Sequence, residues 1–111
     1  MTQLPHPTYD LLFADCSGRQ IRLSGERYTH IIEHPEMFDQ LDKIRNTVFQ
    51  PTLVVATTAD PSVHVYHRYY ATTPVTSKYL LVAIKLVEDN SFVLTAFFSR
   101  RPKKGTIVWQ A

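Results

Sequence analysis

The chain has 111 residues and a formal net charge of +2, with 44% hydrophobic and 12% aromatic residues. This length supports one apolar core and excludes a mechanism divided between domains, so residues 1–111 are expected to form a single domain. The longest apolar run, residues 79–84, is too short to cross a membrane, and the N-terminus lacks the apolar stretch of a signal peptide. A cytoplasmic protein without membrane contact is therefore expected, and the single Cys16 excludes an intramolecular disulfide.

The positive charge is concentrated near residue 100. Four of the twelve basic residues fall within five positions, and they are called the basic segment below: Arg100, Arg101, Lys103 and Lys104. The rest of the chain holds eight basic and ten acidic residues, a balance of −2. Such a segment attracts polyanions and is a candidate phosphate-binding loop, although a solvated charged loop is the commoner meaning.

The first elements in chain order are predicted to be a hairpin and a short helix. Residues 9–15 and 19–23 read as two short strands around a Cys-Ser-Gly turn. Ser24 is a suitable N-cap for the helix that follows. Pro35 cannot continue a helix, so the first helix is expected to end near His34 after about three turns at most.

A second helix and a set of strands complete the predicted fold. The helical spacing of Leu41, Ile44 and Val48 favours a helix over residues 38–49, which Pro51 ends. The pattern then changes to β-branched and aromatic runs separated by turn residues, which predicts strands over residues 53–58, 63–70, 78–87 and 91–99 and a short edge strand over 106–109. This order is typical of an α+β domain in which the helices pack on one face of an antiparallel sheet.

Three side chains suited to chemistry lie on one side of the first predicted helix. At about 100° per residue, Arg27, His30 and His34 fall within roughly a quarter turn of one another. Two groups that titrate near neutrality therefore stand beside a fixed cation. Residues 30–34 also match the H-x-x-E-H pattern of a zinc protease class. That chemistry needs a third ligand on a long helix, whereas Pro35 closes this one, so no metal site is predicted.

The predicted strand over residues 63–70 interleaves cations and aromatic rings. One face of it carries His64, Tyr66, Arg68 and Tyr70. Aromatic rings stack on unpaired bases and guanidinium groups bind phosphates, so this strand suits single-stranded RNA. Tyrosines and arginines also occupy ordinary half-exposed sheets, which is the competing structural interpretation.

Two further residues are unusual in their strands. Thr95 is a hydroxyl residue in an otherwise apolar run, and Lys85 is a lone charge on the neighbouring strand. Taken singly, a buried threonine often satisfies a backbone group and a strand-end lysine often extends to solvent. Together with Arg27, His30 and Arg68 they contain the parts of metal-free RNA cleavage. These parts are a base for the 2′-hydroxyl, an acid for the leaving oxygen and donors for the phosphorane charge.

The chain resembles the phage-associated nucleases grouped with barnase, EndoU, the tRNA-cleaving colicins and RelE, which share the BECR fold. The resemblance covers about residues 19–109 and is distributed over short segments in the family's order. These segments are Ile21-Arg22-Leu23-Ser24, Glu26-Arg27-Tyr28, His30-Ile31, His34-Pro35-Glu36-Met37, Pro51, Tyr66-His67-Arg68, Tyr79-Leu80-Leu81-Val82, Phe92-Val93-Leu94-Thr95-Ala96-Phe97, and Lys104-Gly105 before Trp109.

The resemblance implies a BECR-like fold with a defined site. The N-terminal hairpin and two helices would pack on a curved antiparallel sheet of about four strands, with an RNA site on its open face beside the first helix. His30 becomes the expected acid or base, assisted by His34 and Arg27. Arg68 and Thr95 match positions where such nucleases keep phosphate-binding and hydroxyl groups. The expected substrate-binding side chains also include Tyr66, Lys85, Lys103 and Lys104.

The sequence therefore predicts a metal-independent RNA endonuclease of the toxin or effector type. Cleavage would proceed by attack of the 2′-hydroxyl with a histidine as acid or base, without a cofactor. The alternative is a catalytically inactive relative that binds RNA or a protein partner through the same sheet face, because fold does not determine function. RNA is the expected partner, and an antitoxin or immunity protein is a further candidate.

Overall fold

A seven-stranded sheet with two helices on one side forms the fold. The computed structural model describes residues 10–111. The helices are α1 (Gly25–Ile31) and α2 (Leu41–Phe49), with a short 3₁₀ helix at Pro35–Met37 between them. The strands are β1 (Leu11–Ala14), β2 (Gln20–Leu23), β3 (Leu53–Ala56), β4 (Val63–Tyr69), β5 (Tyr79–Lys85), β6 (Ser91–Ser99) and β7 (Thr106–Gln110).

The strand order corrects the predicted architecture. The strands follow the order β1-β2-β6-β5-β4-β3-β7, and all neighbours are antiparallel except β2 and β6. Ile21 of β2 pairs with Ser91 of β6 in parallel register. The expected sheet of about four strands is wrong, because the N-terminal hairpin and β7 extend the same sheet to seven. The fold is α+β with a mixed sheet, and the hairpin belongs to the sheet rather than packing on it.

Local signals set the ends of the helices. The Ser24 hydroxyl accepts a hydrogen bond from the main-chain N–H of Arg27 at 3.0 Å, as an N-cap does. α1 ends at Ile31, three residues before the predicted end. α2 begins at Leu41 rather than at the predicted residue 38, because Asp39 has a φ of 65°, which a right-handed helix cannot contain.

The two faces of the sheet differ in what covers them. On one side, called the helix face, Leu80 and Val82 of β5 are fully buried in the core that includes residues of α1 and α2. The alternate residues Leu81 and Ala83 point to the other side, called the open face, where they pack with Val65 of β4 in a separate small cluster. Both helices lie on the helix face, so the open face has no helical cover among residues 10–111. No helix in this described part is long and apolar enough to cross a membrane.

Candidate functional site

A groove on the open face is lined by residues at the ends of β3, β5 and β6 and by part of the basic segment. It has a volume of about 670 Å³ and is called the open-face groove below. Phe97 pairs with Leu81 across β6 and β5 and is 40% exposed, so an aromatic ring lies within reach of a ligand. The lining residues are Thr57, Thr58, Ala59, Leu81, Phe97, Ser99, Arg101, Pro102, Lys103 and Lys104.

Three cations border the open-face groove without a carboxylate partner. Arg101, Lys103 and Lys104 are exposed, and none of the ion pairs formed within residues 10–111 includes them. Ser99 shapes the turn that presents them, because its hydroxyl donates to the carbonyl oxygen of Arg101 at 2.7 Å and accepts from the Arg101 N–H at 3.2 Å. Unpaired cations beside a concave surface raise the local concentration of anions. The groove therefore suits a ligand that carries phosphates.

His67 attaches the basic segment to the sheet. Its side chain is completely buried, and Nε2 accepts a hydrogen bond from the main-chain N–H of Lys103 at 2.8 Å. Nδ1 lies 3.3 Å from the carbonyl oxygen of Leu53, and because Nε2 is an acceptor, Nδ1 carries the proton and donates it. Burial lowers the pKa of His67, which keeps the ring neutral. With both nitrogens engaged, His67 positions Lys103 and is not available as a base.

His67 had no role of its own in the sequence-based predictions and belonged only to the Tyr66-His67-Arg68 segment of the family resemblance. His67 lies on the same face of the strand as the apolar Val65. This shared position was the available sign that the His67 side chain is buried. A buried histidine must satisfy both ring nitrogens, so a loop or strand partner was to be expected.

Lys85, a predicted substrate-binding residue, is engaged in a local network. Its ammonium donates to Asp60 Oδ2 at 2.8 Å and to the Ser62 hydroxyl at 2.6 Å. The Ser62 hydroxyl in turn donates to Asp60 Oδ1 at 2.6 Å. The hydrogen bond from Lys85, followed by those from Ser62, lowers the pKa of Asp60 to about 2. Lys85 therefore fixes the loop between β3 and β4, and its charge is already compensated.

Tyr66 is buried rather than presented to a ligand. It is 1% exposed on the helix face, and its hydroxyl donates to Asp15 Oδ2 at 2.6 Å. Asp15 also accepts from Ser17 and from the Arg19 main chain. Burial of Asp15 opposes its ionisation, but the hydrogen bonds from Tyr66, Ser17 and Arg19 outweigh this effect and lower its pKa. The predicted stacking of a base on Tyr66 does not fit this burial, because the ring links β4 to the turn between β1 and β2.

Arg68 binds the end of a helix. Its guanidinium donates to the main-chain oxygen of Gln50, the residue that follows α2, and lies 5.7 Å from the ring centre of Tyr70. A cation at this position satisfies a free carbonyl and interacts favourably with the helix dipole. Arg68 lies on the helix face beside Leu80, its partner in β5, so it is directed away from the open-face groove.

The predicted catalytic residues are not brought to one site. Arg27, His30 and His34 are exposed on or beside α1, which packs on the helix face. Nδ1 of His30 lies 3.8 Å from Glu33 Oε1, an exposed pair that contributes little. Thr95 is exposed on the open face. The sheet therefore separates it from Arg27, His30 and His34, and also from Arg68.

The structure does bring part of the predicted binding set together. Lys103 and Lys104 both line the open-face groove. Thr95 stands on the same face of β6, two residues before Phe97. The groove lining thus contains two of the predicted cations, and the predicted hydroxyl residue lies on the same face of the sheet outside that lining.

Metal ligands do not cluster in the described part of the chain. Within residues 10–111, no three His, Cys, Asp or Glu side chains form a group that could hold a metal ion. The H-x-x-E-H pattern of residues 30–34 therefore has no third ligand among these residues.

Comparisons with known proteins add no family or relative. No known protein family, curated protein or solved structure matches the chain.

Proposed function

We propose that this protein acts on RNA and binds it along the open-face groove. The observation that supports this proposal is the set of unpaired cations, Arg101, Lys103 and Lys104, beside the exposed ring of Phe97. Cations neutralise backbone phosphates, and an exposed aromatic ring stacks on an unpaired base. A duplex keeps its bases stacked on one another, so the ligand suited to this groove is single-stranded.

The same groove suits metal-independent cleavage in which a 2′-hydroxyl of the RNA is the nucleophile. Attack of a 2′-hydroxyl on the adjacent phosphorus forms the 2′-O–P bond of a 2′,3′-cyclic phosphate and breaks the bond from phosphorus to the 5′-oxygen. The 2′-hydroxyl gives its proton to solvent water, and the leaving 5′-oxygen takes up a proton from water. Negative charge develops on the phosphorane oxygens, where cationic donors such as Arg101 and Lys103 stabilise it. Loss of one such donor typically lowers the rate roughly 10²–10³-fold. This proposal relies on the groove cations and assigns no proton transfer to His30, which lies on the helix side of the sheet.

Binding without cleavage is the second candidate. His67, which bonds Lys103 at the groove, is buried with both nitrogens bonded, so it supplies neither acid nor base there. A protein with this groove and no proton-transfer group would hold RNA as a binding module. For either activity we propose a cytoplasmic location, where RNA is available, and for the toxic nuclease an antitoxin or immunity protein as partner.

The experiment uses the full chain with a labelled single-stranded RNA in EDTA. We expect Lys103→Ala and Arg101→Ala to weaken binding at low salt and to reduce the slope of log affinity against log salt by about 0.7 for each lost phosphate contact. The matched control is Arg45→Ala, which removes an exposed cation of α2 paired with Asp42 on the helix side. An equal loss of RNA affinity in all three variants, or no affinity of the parent for RNA at about 50 mM salt, would refute the proposal that RNA binds in the open-face groove.

The product distinguishes the two activities. A 2′,3′-cyclic phosphate end, detected by mass spectrometry, identifies cleavage, and intact bound RNA identifies a binding module. His30→Ala tests the site predicted from sequence against the groove. If His30→Ala loses cleavage while Lys103→Ala keeps full activity, the catalytic site lies at α1, and the proposal of a site in the open-face groove is wrong.

A further inference from the structure

β7 leaves one edge of the sheet open. It is the last strand in the sheet order and pairs only with β3 on its inner side. All five of its residues are exposed, including Ile107 at 55%, Val108 at 46% and Trp109 at 36%. A strand edge with β-branched and aromatic residues is a template for pairing with another extended chain.

The usual protections of an edge strand are missing from β7. Natural sheets protect their edges with charged side chains, proline or a covering segment. Residues 106–110 contain neither a charged residue nor a proline, and no strand among residues 10–111 pairs with their outer side. The opposite edge strand, β1, also contains no charged residue or proline, but it is preceded by the acidic Asp10, whereas the basic segment precedes β7.

Main-chain groups of β7 point outward. The N–H of Ala111 donates to the carbonyl oxygen of Thr52 at 3.1 Å, and Gln110 pairs next with Leu53. Since hydrogen-bonded and non-bonded pairs alternate in an antiparallel ladder, Gln110 turns its N–H and C=O away from β3. These groups are positioned to pair with an added strand.

Charge indicates the kind of strand that fits. The basic segment immediately precedes β7, and none of its four cations takes part in an ion pair within the described residues. A segment that carries carboxylates at the end lying beside these cations gains attraction that a neutral segment lacks. A second copy of this chain would bring the same four cations and no compensating acidic cluster in its own β7.

We propose that β7 is a docking edge for an extended segment of another protein, which adds to the sheet as an eighth strand. The segment carries acidic residues at the end that lies beside Lys104 and the start of β7, and β-branched residues along Ile107 and Trp109. Main-chain hydrogen bonds supply general affinity, and the acidic end supplies selectivity. This edge shares Lys104 with the lining of the open-face groove, and the proposal does not depend on RNA cleavage.

The test follows main-chain amide NMR signals of the full chain during titration with two synthetic peptides. One peptide has a run of Glu before alternating Val and Thr, and the other has Gln in place of each Glu. We expect the Glu peptide to shift the β7 amides, to slow hydrogen exchange at Gln110, and to bind about tenfold more tightly at low salt than the Gln peptide. The β1 edge is the internal control and should not respond.

Two variants at one position test the edge itself. Gln110→Pro removes an outward N–H without removing a hydrogen bond to β3, whereas Gln110→Thr keeps the N–H. We expect the Pro variant to bind the Glu peptide at least fivefold more weakly and the Thr variant to bind as the parent does. The unfolding midpoints of both variants report whether the fold is intact.

Several outcomes would overturn the proposal. These are equal binding of the Glu and Gln peptides, equal shifts at β1, or unchanged binding by a folded Gln110→Pro variant. Dimerisation of the free chain through β7, seen by sedimentation and abolished by Gln110→Pro, would assign the edge to a second copy instead. If Gln110→Pro fails to fold, slowed exchange at Gln110 in the parent on addition of the Glu peptide still decides the question.

Discussion

Acidification is expected to destabilise the protein through His67. The ring is fully buried, and its neutral form is needed because Nε2 accepts the N–H of Lys103. Burial lowers the pKa of His67 below the ordinary value of about 6.5. Below that pH the unfolded chain therefore binds a proton that the folded chain does not. The free energy of unfolding should be constant above about pH 6.5 from this source and fall as the pH falls toward the folded-state pKa.

The size of the effect follows from one proton. A difference of one bound proton between the unfolded and folded states changes the free energy of unfolding by at most about 1.4 kcal/mol per pH unit. His64 contributes with the same sign, because burial and then the charge of Arg19 lower its pKa. The carboxylates with lowered pKa, Asp15 and Asp60, act below their ordinary value of 3.8 and so stay outside the window from about pH 4.5 to 7.5.

Urea unfolding of the parent, His67→Gln and His64→Gln across this window is the assay. We expect His67→Gln to lose about 1–3 kcal/mol at about pH 7.5, because a buried main-chain N–H or C=O loses a well-placed partner. The variant should also show a smaller decline with acid, so that the difference between the two curves narrows as the pH falls. An identical pH slope for the parent and His67→Gln would refute the assignment of a buried neutral ring.

Three further substitutions test single contacts by the same unfolding measurement. Tyr66→Phe removes the hydroxyl donor of the buried Asp15 carboxylate and should cost about 1–3 kcal/mol, so a neutral result would contradict that hydrogen bond. Gly105→Ala places a Cβ about 2.6 Å from a side-chain carbon of β3 at a φ of 153°, and it should cost several times more than Gly18→Ala, whose Cβ meets nothing within 4 Å. Ser24→Ala should cost about 1 kcal/mol and lower the helicity of α1 measured by amide exchange, and an unchanged first turn would show that the cap is dispensable.

Local structure was largely predictable, whereas the assembly of the sheet was not. β6 has the predicted bounds, and the predicted N-terminal hairpin is confirmed by the antiparallel pairing of β1 with β2. These features depend on neighbouring residues, such as a cap, a turn or an alternating run. The pairing of Ile21 with Ser91 depends on residues far apart in the chain, and two residues of parallel register leave no local sequence signal.

For the candidate site as well, local strand geometry was predictable, whereas contacts between distant parts of the chain were not. Alternation on β4 correctly placed Tyr66 and Arg68 on one face, because the period of a strand is two. It did not indicate that α2 and the turn between β1 and β2 cover this face. The polar atoms of both side chains have hydrogen-bond partners on this face, in Asp15 and the Gln50 carbonyl. A polar side chain on this strand is therefore not evidence of exposure to solvent. Three of the four basic residues at positions 100–104, which the sequence marked as a candidate phosphate-binding loop, line the groove, and their role in binding stays a prediction.

The parallel contact between β2 and β6 has a consequence for biosynthesis. Ile21 and Leu23 are fully buried, yet the β6 neighbour of β2 is translated long after them. In a nascent chain that has been synthesised only as far as β5, these two side chains therefore lack their native neighbour and expose hydrophobic surface that is prone to aggregation. Topologies in which distant parts of the chain must meet fold slowly. We therefore expect that this protein completes its folding only after nearly all of the chain has left the ribosome.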